Sequence, residues 1–308
     1  MEPATHHIEI FAPFGEAYEL TKGILFRPFD IAKWFVIGFA AWLATFFSGA
    51  SFNYNKIQNW NTGSHRFAAP SALHQASALP VIITIIIALV VLVLVALFLW
   101  LNSRGRFMFV DCIVRNRAAI VAPWREYRVE ANRFFLFQLI VTGCTLLLLG
   151  SAAVAYFLTP WRAHPSLLIA LLVVCSVSWI VFMILYSLVT RFMVVLMYRR
   201  RCGPMEALQD VCSLLFDHLG VFILFELFTI VLYVAALIVS CLAGCVTCCL
   251  AIIPYVGTVI LLPIVMVLFA FPLCFLRQFG DAYDVWAVTK TLPPPPQIPP
   301  VQERLTPL

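Results

Sequence analysis

Charge is what this sequence has least of. Only 11% of its 308 residues are Asp, Glu, Lys or Arg, 63% are hydrophobic, and the mean hydropathy is +0.97. A soluble domain carries about 25% charged residues. The deficit falls into nearly uncharged runs of about 20 or more residues, which excludes a soluble protein with one oversized core and requires a polytopic α-helical membrane protein. Catalytic signatures are also missing. No GxSxG, HExxH, Gly-rich phosphate loop or pair of carboxylates within an apolar run occurs, so no catalytic residue, metal or cofactor is expected. There is no N-x-S/T sequon and no lipidation box. Residues 1–30 hold Glu9, Glu16 and Glu19 without an uninterrupted apolar stretch, so a cleavable signal peptide is not expected. The net charge of +5 is not a nucleic-acid signal, because the basic residues sit between apolar runs.

What is present sorts into three kinds of segment. The first is amphipathic and led by proline. Pro13 suits the first turn of a helix. Phe14, Ala17, Tyr18, Ile24 and Leu25 recur at helical spacing, with Glu16, Glu19 and Lys22 largely opposite, which predicts a helix over 13–27 lying on the membrane surface. Pro123 opens a comparable segment with Trp124, Tyr127, Ala131 and Phe134 on one face. Pro204 opens a third, with Met205, Leu208, Val211, Cys212 and Leu215 opposed to Glu206, Gln209, Asp210 and Ser213.

The second kind is apolar and predicts six spans. One ends near Gly49, and three cover about 79–101, 135–158 and 166–190. Two more lie between Leu219 and Leu276, where Glu226 is the only charge, with a turn near Gly244–Pro254. Ala40, Ala44 and Ser48, and likewise Ala41, Thr45 and Gly49, place small residues four apart, which permits close helix contact in lipid. Pro263 and Pro272 are expected to kink the last span.

The third kind is polar. Residues 52–78 read as a solvated loop in which His65 and His74 have no metal-ligating neighbours, and His6 and His7 read as terminal coil. The turn Thr159–Pro165 is short, and residues 291–308 form a Pro-rich disordered tail. Asn102–Arg133 holds seven arginines with Phe107–Val110 between them, so the helix is expected to project past the bilayer. Of the 20 Lys and Arg residues, 17 fall in the segment before the first span, the 102–133 and 191–218 connectors and the tail. That asymmetry predicts cytoplasmic N- and C-termini.

Within a single membrane domain over 1–290, the elements recur in three pseudo-repeats of amphipathic helix plus membrane hairpin, about 13–101, 123–190 and 204–277. RFMFV at Arg106–Val110 matches RFMVV at Arg191–Val195. FLFQL at Phe135–Leu139 matches ILFEL at Ile223–Leu227, which pairs Gln138 with Glu226. The Pro-led openings with EAY at Glu16–Tyr18 and EAL at Glu206–Leu208 carry a resemblance, as do the Phe-Asp entries at Phe29–Asp30 and Phe216–Asp217 and the IPYVG turn at Ile253–Gly257. Over most of 13–284 the chain resembles uncharacterised prokaryotic multipass proteins, similar to the membrane domain attached to some glycerophosphodiester phosphodiesterases. The phosphodiesterase domain is not within these residues, so the resemblance implies a fold and a membrane role without an activity.

Glu226 is the leading site residue. It lies about 9 Å into its span at ~1.5 Å per residue, where a carboxylate costs roughly 2.5–3.5 kcal/mol. Its expected partners are Arg106, Arg191, Gln138, Tyr186 and Thr190. A structural hydrogen bond or a side chain reaching back to the interface is the plainer reading, and a ligand- or proton-linked role the sharper one. Arg106, Arg191, Arg199 and Arg200 set topology on the plain reading, and contact anionic lipid headgroups on the sharp one. Cys241, Cys245, Cys248 and Cys249 share a helical face. Packing accounts for them better than a soft metal or a disulfide. The chain therefore reads as a non-enzymatic membrane protein, transporter-like or lipid-interacting, with a cytoplasmic-side polar pocket near Glu226. A scaffold for a protein partner or homo-oligomer is the alternative, and an intramembrane enzyme a remote one.

Overall fold

The computed structural model describes residues 9–45, 78–158, 165–246 and 254–287, and the regular elements among them are helices. α1 (Phe11–Phe26) and α2 (Ile31–Thr45) come first. α3 (Ala78–Val114) and α5 (Arg128–Leu158) are linked through the short α4 (Val121–Glu126). α6 (Pro165–Arg200) and α8 (Leu219–Val246) are linked through α7 (Pro204–Asp217). α9 (Pro254–Ile260) and α10 (Leu262–Leu276) follow, and a 3-10 turn covers Arg277–Phe279.

Five stretches are long and apolar enough to cross a membrane: Ile82–Val114, Arg128–Val154, Ile169–Arg200, Leu219–Cys245 and Leu262–Phe279. The chain is a membrane protein. The first expected span corresponds to α2, of which 15 residues are described. Its continuation to Gly49 lies outside the described residues. So do His6, His7, His65, His74, Cys248, Cys249, most of the Thr159–Pro165 turn and the Pro-rich tail. α3 and α6 have 37 and 36 residues, about 55 Å at 1.5 Å per residue. A hydrocarbon core is ~30 Å thick, so both helices outrun it, as the apolar residues among the arginines of 102–133 led one to expect.

The two halves of these long helices live in different surroundings. Ile83, Ile87 and Val91 of α3, Leu148 of α5 and Val174 and Ile180 of α6 are all exposed, as apolar side chains facing lipid should be. The buried residues gather at the other, basic end. Phe107–Val110 of α3 and Phe192–Tyr198 of α6 are buried round the full helix circumference. Ala207 and Val211 of α7, Phe222 and Phe225 of α8, and Phe271 and Phe275 of α10 complete one core with them. Burial there leaves water rather than lipid, and contributes about 1.5–3 kcal/mol for each large apolar side chain.

α2 and α3 meet along a seam of small residues. Ala40, Ala41 and Ala44 are fully buried, and a methyl group added at Gly105 would stand 2.5 Å from the Leu43 carbonyl carbon. Asn102 Nδ2 donates to the carbonyls of Leu43 and Ala44 at 3.3 and 2.8 Å.

Three local expectations are corrected. On α1 the buried stripe is Pro13, Ala17, Thr21 and Ile24 with Leu25, and Tyr18 is 54% exposed, because that stripe, rotated from Tyr18, packs against α10. On α7 the buried residues are Ala207, Val211, Leu214 and Leu215, and Met205 points outward. The segment opened by Pro123 breaks at Tyr127, and its second half is the start of the long α5. In the last span the helix is interrupted at Leu261, two residues before Pro263, which has no amide to donate to the preceding turn, as expected of a kink there. Pro272 sits inside α10, which continues through it.

Candidate functional site

Where α3 and α6 leave their charge-free stretches, they bring the arginines of the two matched pentapeptides to one level. Arg191 Nη2 donates to Ser187 Oγ one turn earlier at 2.8 Å. Its Nη1 stands 3.7 Å from Glu226 Oε2 on α8, an ion pair too long for a hydrogen bond. The guanidinium also lies over the Tyr233 ring, 5.3 Å from its centroid. Arg106 is within electrostatic reach of Arg191, Tyr186 and Tyr233, with the Phe134 ring 6.0 Å away. Its Nε is enclosed and unpartnered, as is Glu226 Oε2. On α5 the buried Gln138 accepts from Ser103 Oγ at 2.8 Å and faces Tyr186.

Five of the residues singled out from the sequence thus converge: Arg106, Gln138, Tyr186, Arg191 and Glu226. Thr190 spends its hydroxyl on the Tyr186 carbonyl at 2.7 Å. Arg199 and Arg200 lie elsewhere. Arg199 donates to the Asp284 carbonyl at 2.8 Å. Arg200 pairs with Asp210 and lies over Tyr283. Sequence reasoning missed Ser103, Ser187 and Tyr233, although helical spacing carried the signal. Ser103 is three residues before Arg106, Ser187 four before Arg191, and Tyr233 seven after Glu226, each on its partner's helix face.

Below this level lies a second polar cluster, which closes the basic end. Asp111 is fully buried and accepts from Tyr198 Oη at 3.0 Å and from Arg117 Nε at 2.8 Å, with Arg115 Nε at 3.2 Å. Arg115 grips Glu126 with both terminal nitrogens, at 2.7 and 3.1 Å. Arg201, arriving from the end of α6, adds a bond to Glu126 at 2.8 Å and stacks 3.9 Å above the Tyr127 ring. Burial pushes the Glu126 carboxyl up, but the Arg115 hydrogen bond and the charges of Arg115, Arg201 and Arg117 outweigh it and hold the group below its ordinary value. Arg201 Nη1 also pairs with Glu130 Oε1 on α5 at 3.3 Å, so three guanidiniums face three carboxylates and the cluster ties α6 to α3, α4 and α5.

Chemically, then, the upper cluster differs from the lower. It holds two guanidiniums against one carboxylate, with hydrogen-bonding capacity left on both signs of charge. Among the described residues no group of three metal-ligating side chains occurs, and Cys241 and Cys245 are unbridged. Neither the curated proteins nor the solved structures give a match to the chain. Residues 9–289 match a family of unknown function, DUF7544, and the chain belongs to that family.

Proposed function

We propose that this is a six-span protein of a prokaryotic cytoplasmic membrane, with both termini cytoplasmic, that admits an anionic group to the cluster of Arg106, Arg191 and Glu226. The distribution of Lys and Arg supports the orientation, since 17 of 20 lie on the side of the proposed cytoplasmic ends. One observation carries the reading. Arg106 makes no hydrogen bond or ion pair among the described residues, and the ionised side chain that acts on it electrostatically is another arginine, Arg191. An unpaired charge at the edge of the bilayer is costly, and a phosphate or carboxylate bridging Arg106 and Arg191 would satisfy both guanidiniums. Gln138 and Tyr186 would position it, and Glu226 would take a hydrogen-bond donor from the same molecule.

Two sources of that anion are consistent with the site. A solute entering from the cytoplasm makes the protein transporter-like. A lipid headgroup makes it lipid-interacting, which the position of Arg106 just beyond the charge-free 79–101 run favours. The test is the melting temperature of the purified full chain in detergent. It is measured with inorganic phosphate or acetate against chloride at matched ionic strength, and separately with phosphatidylglycerol. A ligand that binds the folded form raises it. A rise with phosphate or acetate supports the solute, and a rise with phosphatidylglycerol alone supports the headgroup. Arg106→Gln should abolish a rise with phosphate or acetate and diminish one with phosphatidylglycerol. No shift with any probe, or an undiminished shift in Arg106→Gln, overturns the reading.

A further inference from the structure

A cavity of about 280 Å³ lies between α1, α8 and α10, away from the Arg106 cluster. Its walls are unequal. α8 and α10 supply only hydrocarbon, including Leu232, Ala236 and Val239 from the first and Val267 from the second, whereas α1 adds Tyr18 and Lys22. Tyr18 and Lys22 are four apart, hence on one face of α1. The Tyr18 hydroxyl has no partner among the described residues. The Thr21 hydroxyl, between them, is used by the Ala17 carbonyl at 2.8 Å. Lys22 meets only Glu19 of its own helix, at 3.5 Å with both side chains largely exposed, a pairing of the kind worth ~0–1 kcal/mol and easily exchanged for another anion.

Two of the three walls are membrane-crossing stretches, and Val239 on the lining is 48% exposed, so the cleft opens sideways into lipid. A dry apolar cavity of roughly 150 Å³ holds benzene, so this one takes about twice that hydrocarbon, on the order of a dozen carbons. It is therefore large enough for a good part of an acyl chain, and its lining is apolar apart from a cation and hydroxyls on the α1 wall. We propose that the cleft seats one acyl chain of an anionic phospholipid, whose phosphate is held by Lys22 and Tyr18. α1 then acts as a clamp that binds a lipid against α8 and α10, and does not merely rest on the membrane surface.

The experiment is native mass spectrometry of the full chain released from detergent after equilibration with equal amounts of phosphatidylglycerol and phosphatidylcholine. The parent should retain one phospholipid, with phosphatidylglycerol preferred. Ala235→Phe, at an exposed position that itself lines the cleft, should block it and lower retention about tenfold, and Val239→Trp, a second route to the same blockage, should do likewise. Lys22→Gln should keep the chain but lose most of the preference between headgroups, since it removes the charge-assisted bond. Arg106→Gln should alter neither the loss caused by Ala235→Phe nor that caused by Lys22→Gln, which separates the cleft from the anion site above. Retention unchanged in both cleft-blocking variants overturns the proposal. So does a preference unchanged in Lys22→Gln, or a parent that carries no lipid and instead appears as a dimer.

Discussion

Asn116 and Arg201 stand in the same relation to two matched arginines. Each is the tenth residue after the Arg that opens an RFM triplet, Arg106 and Arg191, and each adopts a left-handed backbone, with φ of 49° and 56°. Each also ends a long helix, α3 and α6. The two basic segments thus share the same local ending.

A left-handed L-residue costs about 1–2 kcal/mol, with Asn among the best tolerated. Asn116→Val should therefore lower stability in detergent melts by about 1–2 kcal/mol. Asn116→Gly should stay within about 0.5 kcal/mol of the parent, as only an exposed 2.8 Å bond from Lys33 is lost. Equal melting of the Val variant and the parent would mean that the solution structure does not hold this conformation.

Gly105 allows the backbones of α2 and α3 to touch, and a methyl group there meets main-chain and Cβ atoms of Leu43 at 2.5 Å. Gly105→Ala should cost at least the ~1–3 kcal/mol of an overpacked core, because no side chain can swing aside. At Gly38 the added carbon meets the tip of Val259 at 2.7 Å. Gly38→Ala should thus be milder. Limited proteolysis of the two variants compares them directly, and the reverse order of susceptibility would contradict the seam.

How much of this was legible in the sequence depended on contrast. Glu226, Gln138 and Arg191 stand out because their neighbours are apolar, and the match between pentapeptides put them in corresponding places. Asp111 was no less unusual, an acid between Val110 and Cys112, yet it was hidden among seven arginines that also had a sufficient topological explanation. Composition cannot separate a solvated collar from a buried network, since the distinction lies in which helices cross there. The phase of α1 failed for a related reason. Aromatic Tyr18 fits an apolar face on sequence grounds, but α10 packs against small Ala17 and Thr21 instead.

The basic-end network gives a pH dependence with a definite sign. Glu126 is held below its ordinary value in the folded protein, so its contribution is complete above the unfolded carboxyl range, about 4.3. As pH falls from there through the folded value, the unfolded chain takes up the proton first and the contribution is lost. Melting temperature should drop below about pH 4.3, and Glu126→Gln should flatten that part of the curve while lowering stability at neutral pH. The effect is modest, because the carboxylate is partly exposed. An identical acid profile for Glu126→Gln would assign the loss to other carboxylates.

Arg106 and Glu226 should respond in opposite directions. Arg106 has a like charge nearby and no acceptor among the described residues, so Arg106→Met removes a repulsion and an unsatisfied guanidinium while keeping the apolar stem. Glu226 is the carboxylate paired with Arg191 at 3.7 Å. Glu226→Gln leaves two guanidiniums with no counter-charge, a loss on the order of 2–4 kcal/mol. An arginine whose removal stabilises the chain would be a group kept at a cost in stability, as binding residues can be. In detergent melts Arg106→Met should match or exceed the parent without added anion, yet show no rise on adding phosphate. Glu226→Gln should melt well below the parent and regain stability as anion is added. An Arg106→Met variant that melts far below the parent would make Arg106 a structural cation, and the site would then need no ligand.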